Sequence, residues 1–172
     1  MSGMGHLAIG FAAKPSTPEV PLWFLLAASE TNDLLYFIFS SVGLESKVVF
    51  TMDIVHGVSY VTQSINPWSH GFFMSMIWSS LAALLAYLFY RNHQTARLVG
   101  LVVFSHWILD FLMHSNLPLF FDSTPLLGLG LENSGAGFIF MTLLDLSLLA
   151  VGSSMYIRTR VRRSTSINES TH

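Results

Sequence analysis

Ser105-His106-Trp107-Ile108-Leu109-Asp110-Phe111-Leu112-Met113-His114 is the stretch that decides how the rest of the chain is read. A helix advances about 100° per residue, so positions four apart return to within about 40° of one direction. His106, Asp110 and His114 therefore make one polar stripe. Apolar residues fill the other faces and continue upstream to Leu98. A helix that is hydrophobic on every face but one stripe is buried in a large core or in a membrane.

Composition selects the membrane. Charged residues are 10% of the 172-residue chain, against about 25% in an average soluble domain. Hydrophobic residues are 52%, with a mean hydropathy of +0.55. So few charges cannot cover a soluble domain of this size, whereas a lipid-facing surface needs none. A net charge of −2 gives no footprint for nucleic acid. The absence of cysteine excludes disulfides, thiolate ligands and a cysteine nucleophile.

Working outward from span three (98–115), three further runs approach the roughly 20 residues a transmembrane helix needs. They are span one at 20–42, span two at 70–90 and span four at 136–157. A shorter run, Met4 to Ala13, ends at Lys14-Pro15 and covers about half a bilayer core, as a short or re-entrant helix. It lacks the basic start of a cleavable signal peptide, so the expectation is that the membrane helices themselves direct insertion. Residues 44–69, with Asp53 and His56, read as a polar connection, and 116–135 as a Pro/Gly-rich loop. The sequence thus predicts an all-α polytopic membrane helix bundle, four long transmembrane helices plus a short N-terminal helix, over residues 1–157. Residues 158–172 are expected to be a basic, disordered cytoplasmic tail.

Basic residues fix the expected orientation. Lys14, Arg91, Arg97, Arg158, Arg160, Arg162 and Arg163 all fall on one side of four antiparallel spans. That side is read as cytoplasmic, C-terminus included. Asp110 and His114 then lie in the outer half of span three with His106 near its middle, His70 at the outer end of span two and Asp33 just past the middle of span one. These residues of three helices can therefore converge at similar depth.

An ionisable side chain at mid-membrane costs roughly 2.5–3.5 kcal/mol on insertion scales, so Asp33, His106 and Asp110 require partners. His and Asp one helical turn apart suit shared coordination of a metal ion. His106 and His114 lie about 12 Å apart along the axis, too far for one tight tetrahedron. Either Asp110 bridges two ions, or His114 stands behind the ligands. His56 and Asp145 are further candidates for a supporting shell or a second metal. Asp145 could instead pair with a hydroxyl such as Thr142, and Glu30 is either a general base or a partner of Asn32. A proton relay or polar helix packing would use the same residues.

With these residues in view, the chain resembles a bacterial family of inner-membrane proteins described as metal-dependent hydrolases, the LexA-regulated YdjM type. The resemblance covers residues 4 to 157. It is carried by Gly5-His6 with Gly10, by Asp33, by Pro67-Trp68-Ser69-His70-Gly71 and by Ser105-His106-Trp107-Ile108-Leu109-Asp110-Phe111. Stretches at His114 to Leu119 and at Gly128 to Ser134 are similar as well. It implies a helical fold in the bacterial inner membrane and a metal site at His6, Asp33, His70, His106 and Asp110. Two departures stand out: Thr31-Asn32 precede Asp33, where the family often has Pro or Leu, and the family's basic residue near His70 is missing.

The functional expectation is a membrane-embedded hydrolase of an ester or phosphoester such as a lipid or lipid-linked phosphate. It would use one or two divalent ions, zinc by preference, with membrane lipids as its surroundings. Catalytic roles fall to Glu30, Asp33 and Asp110. The rivals are a small transporter or ion relay, and a non-catalytic membrane factor with a structural metal site. The oligomeric state is not legible.

Overall fold

The chain begins with a helix, α1 (Gly3–Ala13), closed by a 3-10 turn at Lys14–Ser16. Two short helices follow, α2 (Leu22–Ser29) and α3 (Thr31–Ser41). A β-hairpin comes next, β1 (Val49–Asp53) against antiparallel β2 (Val58–Thr62). The long helices α4 (Phe72–Tyr90) and α5 (His93–Met113) form a second hairpin. After it, β3 (Leu117–Pro118) pairs with β4 (Leu126–Leu127). A 3-10 turn at Leu131–Asn133 leads into α6 (Gly135–Glu169). This is a computed structural model, and it describes residues 3–45, 49–53, 58–62, 65–121 and 125–169.

The protein is mostly helical, and three helices are long and apolar enough to cross a membrane: Phe72–Tyr90, His93–Met113 and the Gly135–Arg162 part of α6. Span one, expected as one of four long helices at 20–42 with its centre interrupted by the polar patch Glu30 to Asp33, is two helices. It divides at Glu30 into α2 and α3. The cause is local chemistry. Ser, Thr, Asn and Asp compete with the backbone for its own hydrogen bonds, and they cluster at 29 and 31–33. Ser29 Oγ donates to the Leu26 carbonyl, and Thr31 Oγ1 to the Ala27 and Ala28 carbonyls.

Two other expectations shift. The connection at 44–69 contains the β1–β2 hairpin. The basic segment expected to be a disordered tail from 158 continues α6 as helix to Glu169.

The α4–α5 hairpin turns on two residues. Arg91 adopts a left-handed backbone (φ 52°), which ends α4. Asn92 caps α5, its side chain accepting from the Gln94 and Thr95 backbone N–H groups. Near this end the core is apolar: Val20, Leu25, Ala86 and Val99 are buried together. Thr95 donates to Glu19 here and holds that carboxyl below its usual range.

The first and last helices lie side by side. A side chain at Gly152 would meet the Ala8 carbonyl oxygen at 2.4 Å, so only glycine permits this approach. One turn on, Phe11 contacts Tyr156. The register rises in both helices together, so α1 and α6 run parallel. Their common direction places Lys14 at the end where α6 carries Arg158 and Arg160.

Candidate metal centre

The polar half of α5 faces α1, α3 and the turn before α4. His106 and Asp110 are buried on α5, and His6 is buried on α1. Asp33 lies in the first turn of α3, and His70 in the turn leading into α4. The structure thus brings together all five of the ligands implied by the resemblance, from four parts of the chain.

Four donor atoms form a cage. His70 Nε2 lies 3.2 Å from Asp33 Oδ1 and 3.6 Å from Asp110 Oδ2. His106 Nε2 lies 3.6 Å from Asp33 Oδ1 and 3.4 Å from Asp110 Oδ2. Ligands at about 2.0–2.1 Å from a tetrahedral ion stand about 3.3–3.4 Å apart. These neighbouring separations are near that spacing, and the sets whose donor atoms all lie within 4.8 Å of one another are Asp33, His70 and His106, and His6, His106 and Asp110. His106 Nε2 is buried and makes no hydrogen bond among the described residues.

The opposite nitrogen of each ring explains which one faces the centre. His106 Nδ1 donates to the Ser29 carbonyl at 2.8 Å, an oxygen brought there by the break between α2 and α3. A carbonyl can only accept, so the proton sits on Nδ1 and Nε2 is left for the centre. His70 is set through a longer chain. The buried Glu45 carboxylate accepts from the Trp68 and Ser69 backbone N–H groups and from Ser69 Oγ. With its hydroxyl proton given to Glu45, Ser69 Oγ accepts from His70 Nδ1 at 2.7 Å. Outer partners of this kind hold the ring orientation of metal-binding histidines.

Protons alone serve this cage badly. Without an ion, each Nε2 that faces a carboxylate would have to carry a proton. Yet His6 stacks on His106 with ring centroids 3.7 Å apart, and His70 is 5.4 Å from His106. Several imidazolium ions at that spacing, inside an apolar bundle, repel one another. One divalent cation would balance Asp33 and Asp110 while leaving the rings neutral.

The remaining candidates separate. His114 caps the C-terminus of α5, with Nε2 3.8 Å from Asp110 Oδ1 and Nδ1 donating to Glu132 at 2.8 Å. The loop that brings Glu132 here folds back onto α5. Leu129 N–H donates to the Phe111 carbonyl and Gly130 N–H to that of His114. Gly128 makes the approach at φ +123°, where a side chain would strike the His114 carbonyl oxygen at 2.0 Å. Glu30 sits at the helix break, interacting with Asp33, His106 and Asp110, and its Oε1 is buried without a hydrogen-bond partner among the described residues. Asn32, the other partner considered for Glu30, instead donates to Ser75 Oγ on α4.

Asp145 is buried on α6, but the α1–α6 register puts it about 8 Å along the axis from the level of His6. Its suggested partner Thr142 donates to the Phe138 carbonyl. Among the described residues, the groups able to hold a metal ion are His6 with His106 and Asp110, and Asp33 with His70 and His106. His56 lies outside the described residues. Reasoning from sequence missed Glu45, which stands 24 positions from Ser69 across the connection that holds the β-hairpin. It also missed Glu132, although the stretch containing it had been marked by the resemblance.

No family model matches the chain, and neither the curated proteins nor the solved structures gave a match to it.

Proposed function

We propose that the protein is a membrane-embedded, metal-dependent hydrolase acting on an ester or phosphoester of a lipid or lipid-linked phosphate. The observation that carries the metal reading is the shared orientation of His70 and His106: each turns Nδ1 to a fixed acceptor and Nε2 to Asp33 and Asp110. The site would hold its ion through Asp33, His70, His106 and Asp110. His6 stacks on His106 and approaches the other oxygen of Asp110 at 3.4 Å. When bound, a divalent ion supplies Lewis acidity that lowers the pKa of water and polarises an ester or phosphoester oxygen. The nitrogen and carboxylate donors suit zinc.

The chain's own residues would do the rest. Glu30, with its unpartnered Oε1 beside Asp33, is the group placed to take a proton from water. Asp33 orients the open side of the cage. Its side chain is 40% exposed, against 4% for Asp110. Next to it on α3, Leu34, Phe37 and Ile38 are exposed and apolar. A substrate reaching Asp33 along that face would slide in from the acyl region of the bilayer, which favours a lipid.

In this reading α2 and α3 together make the fourth crossing. Their 20 positions, 22–41, span about 30 Å with the break near the middle. The basic ends of α4, α5 and α6 lie on the cytoplasmic side of a bacterial inner membrane, and the cage lies in the outer half.

The test is metal content by mass spectrometry on detergent-purified protein, beside a screen of phosphoester and carboxylic-ester lipids. Stoichiometric zinc, lost in His106→Ala and Asp110→Ala together with hydrolysis, is the expected result. Protein without metal above background, purified free of chelators, would sink the reading.

A further inference from the structure

The chain holds 8 Lys and Arg residues. All but Lys47 follow α1, surround the α4–α5 turn or lie on the last part of α6, at the end of the bundle away from the cage. Lys47 lies outside the described residues. The cage end is acidic instead. Glu30, Asp33 and Asp110 interact in the centre, Glu45 stands behind His70, and Glu132 stands behind His114.

One divalent ion would balance two of these carboxylates and leave the surplus negative. In an apolar surrounding such a surplus acts over several ångströms. A lipid with a net anionic headgroup would be repelled by everything at this end except the ion. A headgroup that carries its own cation beside the phosphate would be drawn in.

Aromatic rings supply a seat for that cation. Trp68, two residues before His70, is exposed, and its ring lies 4.9 Å from that of Phe121, also exposed. Beside them the exposed Phe73 and Phe120 stack at 4.9 Å. Tyr36, one turn beyond Asp33 on α3, sets its ring edge-on to His70 at 6.2 Å. The face of an aromatic ring is negative, that of Trp most of all, so it attracts an ammonium group.

Aromatic residues at a membrane surface often serve only as anchors. Trp68 is held more closely than that role requires. Its backbone N–H donates to Glu45 Oε1 at 2.9 Å, and its carbonyl accepts from Trp78 Nε1 at 2.8 Å. The carboxylate that orients His70 through Ser69 therefore also fixes the backbone of Trp68. One buried acid holds a ring that faces the cage and an exposed aromatic face in a set relation.

We propose that Trp68 and Phe121 form a headgroup subsite beside the cage, taking the ammonium group of a zwitterionic phospholipid whose phosphate faces Asp33, His70 and His106. The inference rests on the metal-dependent reading above and names the class of lipid it acts on. Specificity has two parts: the rings attract the ammonium group, and the surplus carboxylates reject anionic headgroups.

The experiment offers the full chain in detergent equal amounts of short-chain phosphatidylethanolamine and phosphatidylglycerol with matched acyl chains. Native mass spectrometry reads which lipid stays bound, and metal content and hydrolysis of each lipid are measured beside it. The ethanolamine lipid should be retained about 5-fold or more over the glycerol lipid. Trp68→Leu and Phe121→Leu should each lower that ratio about 3-fold with metal content unchanged, and Trp68→Tyr should keep most of it.

Equal retention, or preference for the glycerol lipid, would overturn the subsite, and metal-dependent hydrolysis of either lipid would leave the hydrolase reading standing. An unchanged ratio in both leucine variants would overturn the subsite as well and mark the rings as anchors. A preference lost in those variants, with no metal bound and no lipid hydrolysed, would overturn the hydrolase reading and leave a lipid-binding surface.

Discussion

The two halves of α5 are built on opposite terms. Its first half, from Thr95 to Val103, packs small and branched residues, with Val99 and Val103 fully enclosed and Gly100 close against Ala83. Its second half buries His106 and Asp110 among other polar groups. Close apolar packing holds the first half in place, and any cavity there costs stability. A buried ionic cluster contributes little to stability by itself, and replacing one with apolar residues is often neutral or stabilising. One helix thus carries a packing half and a chemical half, and changes to each should have different readouts.

The sharpest break of that contrast is Asp110→Asn, which keeps the side-chain volume and the capacity for hydrogen bonds while removing the charge. It should abolish metal binding at the centre while shifting the thermal midpoint in detergent only slightly. A collapse of the fold would show that the polar half is structural after all. The converse change is Leu25→Ala in the enclosed apolar cluster. It should lower stability by about 2–4 kcal/mol, measured by unfolding, with metal content unchanged.

Intermediate effects test the links between halves. Gly152→Leu forces α1 from α6 at Ala8 and displaces His6. It should cost about 1–3 kcal/mol and also weaken metal binding, read by calorimetric titration. Glu45→Gln is nearly isosteric but reverses a hydrogen bond. The new amide would donate to Ser69 Oγ, Ser69 would donate to His70 Nδ1, and the proton would move to Nε2. Metal affinity should fall about 10-fold or more, and nitrogen-15 spectra should report the changed His70 tautomer.

The smallest effect belongs to Thr95→Val at the packing end. Loss of the hydrogen bond to Glu19 should cost at most about 1 kcal/mol. Because the folded state holds the Glu19 carboxyl below its ordinary value of 4.5, that contribution is present above about pH 4.5 and is lost as the pH falls. Unfolding midpoints at pH 7 and pH 4 should therefore differ less in the variant than in the unaltered protein.

The helices long and apolar enough to cross a membrane were legible because such runs stand out in the sequence, and α4, α5 and α6 supply them. The His106/Asp110 stripe was legible because its spacing is local to one helix. The break at Glu30 was marked by polar residues within an apolar run, but not that it would release the Ser29 carbonyl to a ring 77 positions away. Glu45 and Glu132 were hidden for the same reason. Each acts across a turn or loop whose return path depends on tertiary packing. Asp145 is a buried acid on an apolar helix, and the register of α1 and α6 sets its depth about 8 Å from the level of His6.

The parallel packing of α1 on α6 has a consequence for assembly. His6 leaves the ribosome first, yet its seat beside Asp110 is completed by the helix that carries Gly152. During synthesis the centre therefore stays open on one side until the last helix inserts. On the proposed reading, loading of metal would then be a closing event of biogenesis, and chains shortened before α6 would lack a finished site.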